Sequence, residues 1–484
     1  MKYKSKSQLI GLLLGIVLFL LVLLMPTPEG LSLVGKKVLA VTILMVVFWM
    51  TEAIPIPMTS LLPIILFPLV GITGKSGQND IVLFENYGYS TVFLILGVSF
   101  LSTAMVKWNL HKRIALWITL KVGSKPSTMV LGFILATTLI SMWMSNTTAA
   151  AMMLPVAISV ATSVASDNVN FRKALVICIP WAATLGGMGT IVGSTTNPTG
   201  VAIISETLGI DITFIDWLKF GLPFVIVLVP LMWFYLVKFY KLDKLKEMDH
   251  SSLVEEYNKL GDMSGTEKRI MLIFVIGVVL WMTKIFWDRF LPFTSDETVA
   301  LLIALLCVTI STPLKDSSKK NGEPILSMKE ALDGVPWNAY LLLGGSMVMG
   351  LAFTASGCSE WLAGNLIFLS GLSPIIVIIV ISVFTAVVTE LTTNAVVVAS
   401  FLPVLGSLGS AIGMNPFILM VTCLMASNNA YMLPSATPPN AIAYATGEIE
   451  IKDLVKAGIG MKVIHAVVFP IILMICINVF GLGA

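Results

Sequence analysis

The stretch QLIGLLLGIVLFLLVLLM at residues 8–25 carries no charge, and predominantly apolar runs recur near 36–54, 56–72, 90–106, 217–238, 270–287, 296–313, 338–356 and 457–481. About 20 apolar residues cross a bilayer as a helix, because a lipid core forces every backbone polar group to bond within its own segment. One such run fits a removable signal; this many describe a polytopic helical membrane protein. The first run is followed by MPTPEG, with no small-residue cleavage site, so it reads as a retained helix. Only 12% of the residues are charged, against about 25% in soluble domains.

The positions of those charges orient the chain. Lys107, Lys112, Arg113, Lys121 and Lys125 cluster in one connection; Lys241, Lys244, Lys246, Lys259, Lys268 and Arg269 fill another. Lys315, Lys319, Lys320 and Lys329 fill a third, and Lys2, Lys4 and Lys6 lead the chain. The connection 206–216 has Glu206, Asp211 and Asp216 and no basic residue. Basic connections stay in the cytoplasm. The expectation is a plasma (inner) membrane protein with a cytoplasmic N-terminus, about eleven crossings and an outer C-terminus.

Two halves repeat. FLILGVS at 93–99 resembles YLLLGGS at 340–346, so Gly97 and Gly344 lie 247 apart. Asn146 and Asn394, each eight residues before a Leu-Pro pair, lie 248 apart. GSTTNPTGVAI at 193–203 resembles SATPPNAIAYA at 435–445, placing Asn197 and Asn440 243 apart. The charged stretch 241–269 divides the halves. The connection 107–126 is basic, whereas its counterpart 357–373 holds Glu360 and no Lys or Arg. Equivalent connections therefore face opposite sides. That is an inverted-topology repeat, an arrangement that puts a transporter's binding site at the repeat interface.

The matched polar stretches interrupt the apolar runs. Residues 127–165 run apolar, reach Ser-Asn-Thr-Thr at 145–148, and turn apolar again; 374–410 repeats the pattern. Each reads as a hairpin that enters and leaves on one side. GGMGTIVGSTTNPTG at 186–200 and NNAYMLPSATPPN at 428–440 cannot be continuous helix and break two others. Irregular backbone at bilayer depth persists only against protein or a water-filled cavity. Its amides can hold a carboxylate, and its carbonyls and hydroxyls can coordinate a cation. A lone Ser or Thr more often bonds its own backbone, and a lone Gly more often serves packing. Four matched interruptions together favour the binding reading.

Other chemistry is sparse. Cys178, Cys307, Cys358, Cys423 and Cys476 show no paired spacing and read as buried thiols. His111, His250 and His465 make no metal-ligand spacing. GITGKS at 71–76 lacks the earlier glycine of a phosphate loop, since position 69 is Leu. An ATP-driven pump is thereby disfavoured. No nucleophile–base pair points to an enzyme, and nothing points to a nucleic-acid partner. Glu390, an acid inside an apolar hairpin, is a functional candidate or a structural partner of the hairpin; the first half has Met142 there. Glu52, near a helix end, reads as interfacial.

SNTT…LP, GGxGTxxG, TELTTN and ATPPNA, in this order across two halves, resemble the divalent-anion:sodium symporter (DASS) family, in its bacterial di/tricarboxylate branch. The resemblance covers nearly the whole chain. It implies an all-α elevator transporter with eleven membrane helices, two re-entrant hairpins and two broken helices, working as a homodimer on di- or tricarboxylates or sulfate. It implies no cofactor beyond sodium as a coupling ion. Carried over by motif, Asn146, Thr147, Ser194, Thr393, Asn394, Ala395, Thr437 and Pro438 line the substrate position. Ser141, Ser145, Asn146 and Gly193 match the family's first sodium site; Thr389, Thr392, Asn394 and Ala436 match its second. Thr393, Ala395 and Thr195-Thr196 depart from the family pattern.

The resulting expectation is a carrier of C4–C5 dicarboxylates (the succinate, malate and 2-oxoglutarate class), by sodium symport or sodium-independent exchange. An anion channel and a citrate or sulfate transporter are the alternatives. Residues 1–35 form an N-terminal helix. Residues 36–240 and 270–484 form the two repeats, each with a scaffold part (36–126; 270–356) and a mobile part (127–205; 374–445).

Overall fold

The computed structural model describes residues 6–72, 83–123, 125–164, 168–245, 251–313, 322–365 and 371–481. Among these residues the fold is helical, with a single antiparallel bridge between Ser311 and Pro324. Seven helices are long and apolar enough to cross a membrane, from Leu33–Thr51 to Ile451–Phe480. The ends of the long helices are set by local chemistry. Ser32 accepts from the Gly35 amide, and Thr213 with Asp216 and Ser264 with Glu267 close capping boxes. Pro126 and Pro374 open the two hairpins at matched positions, where a missing amide hydrogen costs nothing.

Burial follows the pattern of each helix. From Ala174 to Met188 every residue is buried, as an all-round apolar helix requires. The helix Ile451–Phe480 shows the opposite case: Ile459, Val463, Val467, Ile471, Ile475 and Val479 form an exposed stripe at a spacing of four. That stripe is the lipid face. All five cysteines are free and buried, as the sequence suggests.

The structure corrects several boundaries. The run 56–72 is two short helices, Ile56–Ser60 and Leu62–Leu69, parted at Leu61 and carrying Pro63 and Pro68. The basic connection 107–126 contains the helix Leu110–Val122, which buries Leu110, Arg113 and Leu116 on one side. Its counterpart contains Cys358–Asn365. The divider 241–269 ends at Ser264, because the Ser264–Glu267 capping box starts Gly265–Met282 there. It also holds the helix Ser251–Asn258. Lys2, Lys4, Lys246, His250, Lys315, Lys319, Lys320 and the GKS of GITGKS lie outside the described residues.

The hairpins and broken helices form as matched pairs. The first hairpin is Pro126–Ser141 and Asn146–Val164; the second is Pro374–Leu391 and Asn394–Ala411. The first broken helix is Val169–Met188 and Thr196–Leu208; the second is Pro416–Ala426 and Pro438–Ala445. The arms of the second hairpin have 18 residues each and are long and apolar enough to cross a membrane. Arm length therefore does not mark that hairpin as re-entrant. Its tip does, by meeting the other tip and both breaks inside the protein.

Candidate functional site

Each hairpin tip is closed by one hydroxyl and one amide five residues apart. The Ser141 hydroxyl lies 2.7 Å from the Ala183 carbonyl and 2.9 Å from Asn146 Oδ1. The Thr389 hydroxyl lies 2.7 Å from the Ser427 carbonyl and 2.7 Å from Asn394 Oδ1. Each break is tied by an asparagine reaching ten and seven residues back. Asn197 Nδ2 donates to the carbonyls of Gly187 (2.7 Å) and Thr190 (2.8 Å). Asn440 Nδ2 donates to those of Ala430 (3.2 Å) and Leu433 (3.2 Å). The Oδ1 atoms of Asn197 and Asn440 are both buried without a hydrogen-bond partner.

The two tips and two breaks enclose one cavity of about 130 Å³. Among the expected substrate positions, Asn146, Thr147, Ser194, Thr393, Asn394, Ala395, Thr437 and Pro438 all line it. Ser145, Thr195, Thr196, Ala436 and Pro439 complete the wall. No charged side chain takes part. Instead, four helices begin at this wall, at Asn146, Thr196, Asn394 and Pro438. Each helix N-terminus carries roughly half a positive charge, so four supply roughly two. That matches a small dianion bound by amides and hydroxyls.

Oxygen atoms gather just behind the wall. In the first half, the end of the Asn146 amide that touches Ser141 Oγ also lies 3.0 Å from the Ala183 carbonyl and 3.1 Å from the Gly193 carbonyl. An amide nitrogen there donates to all three; an amide oxygen there is stabilised by a cation among the oxygens. Gly193 packs so closely that an added Cβ would lie 2.9 Å from the Ser141 carbonyl and 2.8 Å from that of Gly187. The cluster Ser141, Asn146 and Gly193 is thus assembled, while Ser145 sits at the cavity edge, 2.7 Å from the Thr148 hydroxyl. In the second half, Thr389 and Asn394 meet directly. Ala436 lines the cavity and Thr392 is buried at the end of the first arm, with no hydrogen bond drawing either into the pair. The second oxygen cluster is therefore less complete than the first.

Glu390 does not enter the cavity. Its carboxylate pairs with Lys462 and accepts the backbone amides of Tyr431, Met432 and Leu433. Of the two readings of this residue, the structural partner is the one the geometry favours. Lys462 is not marked by the motifs, though of the three lysines in the helix Ile451–Phe480 it lies deepest in the apolar run, which is itself a signal. Trp143 was also not singled out. It stacks on Phe214 (6.0 Å) and meets Phe274 edge-on (5.0 Å), tying the first tip to neighbouring helices.

A second cavity of about 170 Å³ adjoins the first and shares Ser145, Ser194 and Thr195 with it. It runs along the helix Ser90–Lys107 from Leu94 to Ser102, towards the lysine end. Ser99, the serine of the repeated LGxS motif, lines it; its counterpart Ser346 lines a smaller cavity between the helices Thr196–Leu208 and Trp337–Ala355.

Residues 6–482 match the family model described as the sodium:sulfate symporter transmembrane region. A sodium-dependent dicarboxylate transporter, SdcS, of Staphylococcus aureus is 38% identical over 496 residues, covering 98% of this chain and 94% of that one. SdcS of Staphylococcus saprophyticus is 35% identical over 485 residues, covering 97% and 92%. Two solved transporters share the fold at low identity. Neisseria gonorrhoeae MtrF has a TM-score of 0.56 at 12% identity, covering 98% of this chain and 96% of that one. Alcanivorax borkumensis YdaH has a TM-score of 0.51 at 11% identity, covering 92% and 99%. The chain is a multi-pass membrane transporter and belongs to the sodium:sulfate symporter (DASS) family.

Proposed function

We propose that this chain carries C4–C5 dicarboxylates, of the succinate, malate and 2-oxoglutarate class, into the cell together with sodium. The observation that carries this reading is the wall of one cavity, where four helix N-termini converge without any charged side chain. Two carboxylates fit two matched tips: Asn146 and Thr147 take one, Asn394 and Thr393 the other, with Ser194, Ala395, Thr437 and Pro438 shaping the space between. Sodium occupies the oxygen cluster of Ser141, Ser145, Asn146 and Gly193, and a second ion that of Thr389, Thr392, Asn394 and Ala436. The Staphylococcus relatives, sodium-dependent by name, support symport over exchange.

The motion is an elevator. Hairpins and broken helices (127–205 and 374–445) move as one body against a scaffold that includes 36–72 and 270–313, in a homodimer of the plasma membrane with cytoplasmic N-termini. The 170 Å³ cavity lies where this body meets the helix Ser90–Lys107, and it leads towards the lysine-rich, cytoplasmic end. A separate cavity of about 200 Å³ shares Leu94 with it and lies at the other end of that helix, against Tyr89, Ser90 and Thr91. In this reading the site opens inward.

Uptake of labelled succinate into liposomes tests the reading. Saturable uptake driven by a sodium gradient into empty vesicles is the expected result. Uptake that ignores sodium but needs internal dicarboxylate makes the protein an exchanger. Unsaturable flux makes it a channel.

A further inference from the structure

The second break is braced by charge, and the first is not. Glu390 is buried, and its side chain is 8% exposed against 16% for Lys462. The carboxylate sits 3.0 Å from Lys462 Nζ. It also accepts three successive backbone amides: Tyr431 (3.0 Å), Met432 (3.2 Å) and Leu433 (3.0 Å). Successive amides of this kind form a nest for an anion, and here the anion is the protein's own. Lys462 Nζ donates in turn to the carbonyls of Asn429 (2.7 Å) and Ala386. One turn on, His465 Nδ1 lies 3.0 Å from the Tyr431 hydroxyl. One turn back, Gly458 lets the helix backbone approach so closely that a Cβ would lie 2.7 Å from the Tyr431 carbonyl. Residues 458, 462 and 465 share one helix face. That face clamps residues 429–433.

The first half has the same contact with different chemistry. Met142 stands where Glu390 does, and its side chain packs against Gly189, the counterpart of Met432. Gly221 repeats the close approach of Gly458, with a Cβ 2.5 Å from the Met188 carbonyl. Four residues beyond each glycine stand Val225 and Lys462. The first break is thus held without charge, by apolar packing, by Trp217 Nε1 donating to the Met188 carbonyl (2.9 Å) and by the Thr190 hydroxyl donating to the Met142 carbonyl.

The braced segment leads straight to the second oxygen cluster. Asn440 holds the carbonyls of Ala430 and Leu433, and the Ala436 amide donates to the Leu433 carbonyl at 3.2 Å. Glu390 itself follows Thr389, whose hydroxyl touches Asn394. Shifting 430–433 therefore shifts Ala436 and the wall that Asn394 faces. We propose that Glu390 and Lys462 are positioning residues for the second cation site: by fixing the backbone of 429–433 they set the sodium affinity of the second half alone. This rests on the sodium-symport reading above.

The test grafts the first half's chemistry into the second with the double variant Glu390→Met, Lys462→Val. Removing both charges avoids leaving either one buried and unpaired. Two quantities are read on the purified protein: hydrogen exchange of peptides covering 427–437 and 189–195, and the sodium midpoint of succinate uptake. Charge-assisted bonds are lost, so exchange in 427–437 rises and the sodium midpoint moves up, each by about tenfold or more. Exchange in 189–195 stays at the parent level, which also reports that the variant is folded. Succinate KM at saturating sodium changes by less than about twofold, since the cavity wall keeps its side chains. Glu390→Gln, which keeps the shape and one acceptor, is the second variant and moves the midpoint by about threefold. Faster exchange with an unmoved sodium midpoint overturns the proposal, because the brace is then merely structural. Unchanged exchange in 427–437 also overturns it. A parent protein whose uptake ignores sodium overturns the symport reading and the proposal with it, and the exchange measurement, made without sodium, tells these failures apart.

Discussion

At the first hairpin tip, Ser141 and Asn146 meet beside the carbonyl of Ala183; at the second, Thr389 and Asn394 meet beside that of Ser427. The plan is one plan, repeated. The surroundings differ. The first tip has glycine at 187, so tight against Asn146 that an added Cβ would lie 2.1 Å from Oδ1, whereas the matched position in the second break is Ala430. The first tip offers hydroxyls at Ser145, Thr147 and Thr148; the second offers Thr393 and then Ala395 and Val396. The first break rests on apolar packing and neutral hydrogen bonds from Trp217 and Thr190, the second on a buried ion pair. A duplicated design thus keeps its tip asparagines and its tie asparagines, and lets the supports diverge. What binds is constrained by the ligand; what supports only has to hold still.

The comparison can be broken most directly at the shared asparagines. Asn146→Ala and Asn394→Ala each remove a side chain that closes a turn and is proposed to hold the ligand. Each is expected to lower succinate uptake by at least about a hundredfold, with assembly intact by size-exclusion chromatography. Normal uptake by either variant would remove that residue from the site and end the symmetry. A cysteine pair at Leu94 and Val192, which line the same cavity from the two sides of the proposed sliding interface, comes next. Oxidation is expected to slow uptake by about tenfold or more, and reduction to restore it, as for a trapped two-state element. Full transport with the crosslink verified by mass spectrometry rules out the elevator.

Gly187→Ala sharpens the contrast between the two tips. The new methyl displaces the Asn146 amide, so the sodium midpoint and succinate KM both rise, by about tenfold, while Ala430→Gly changes them by less than about threefold. Equal effects would mean that the two tips are packed alike. Asn197→Ala and Asn440→Ala should behave as a matched pair. Each strips hydrogen bonds from two buried carbonyls and costs about 2 kcal/mol. Thermal unfolding in detergent reads this, and a large loss in one variant alone would break the pairing. The smallest effect is expected from Ala395→Thr, which returns the hydroxyl that Thr147 supplies in the first half. One added hydrogen bond tightens succinate KM by about threefold; a weaker KM means that the methyl of Thr collides with the substrate.

Much of this was legible before any coordinates. The apolar runs announced the membrane, because a spanning segment must satisfy its own backbone. The offsets near 245 between matched motifs announced the repeat. The polar interruptions announced the site, and the structure gathers all eight expected wall residues round one cavity. What stayed hidden has a physical reason in each case. The helix Leu110–Val122 reads as a basic loop because Arg113 is buried against Glu267 and three backbone carbonyls, which the sequence does not show. The interruption at Leu61 falls between two prolines in an otherwise apolar run. The contact of Lys462 with the second break stayed hidden because its partners are 33 and 72 or more residues away in the chain, joined only by packing. The second hairpin's arms look like two ordinary crossings, since 18 apolar residues satisfy both readings.

The uncharged wall has an electrical consequence. The wall carries no charged side chain, and helix dipoles travel with the protein and sum to nothing over each helix. In the proposed motion an empty wall that changes sides therefore moves no net charge of its own. Whatever current accompanies turnover belongs to the cargo. A dianion with two sodium ions crosses silently; a third sodium adds one charge, on which a membrane potential acts with about 2.3 kcal/mol per 100 mV. With succinate and sodium as the proposed cargo, a voltage clamp becomes an ion counter, and the steady current per succinate gives the stoichiometry without any ion being labelled.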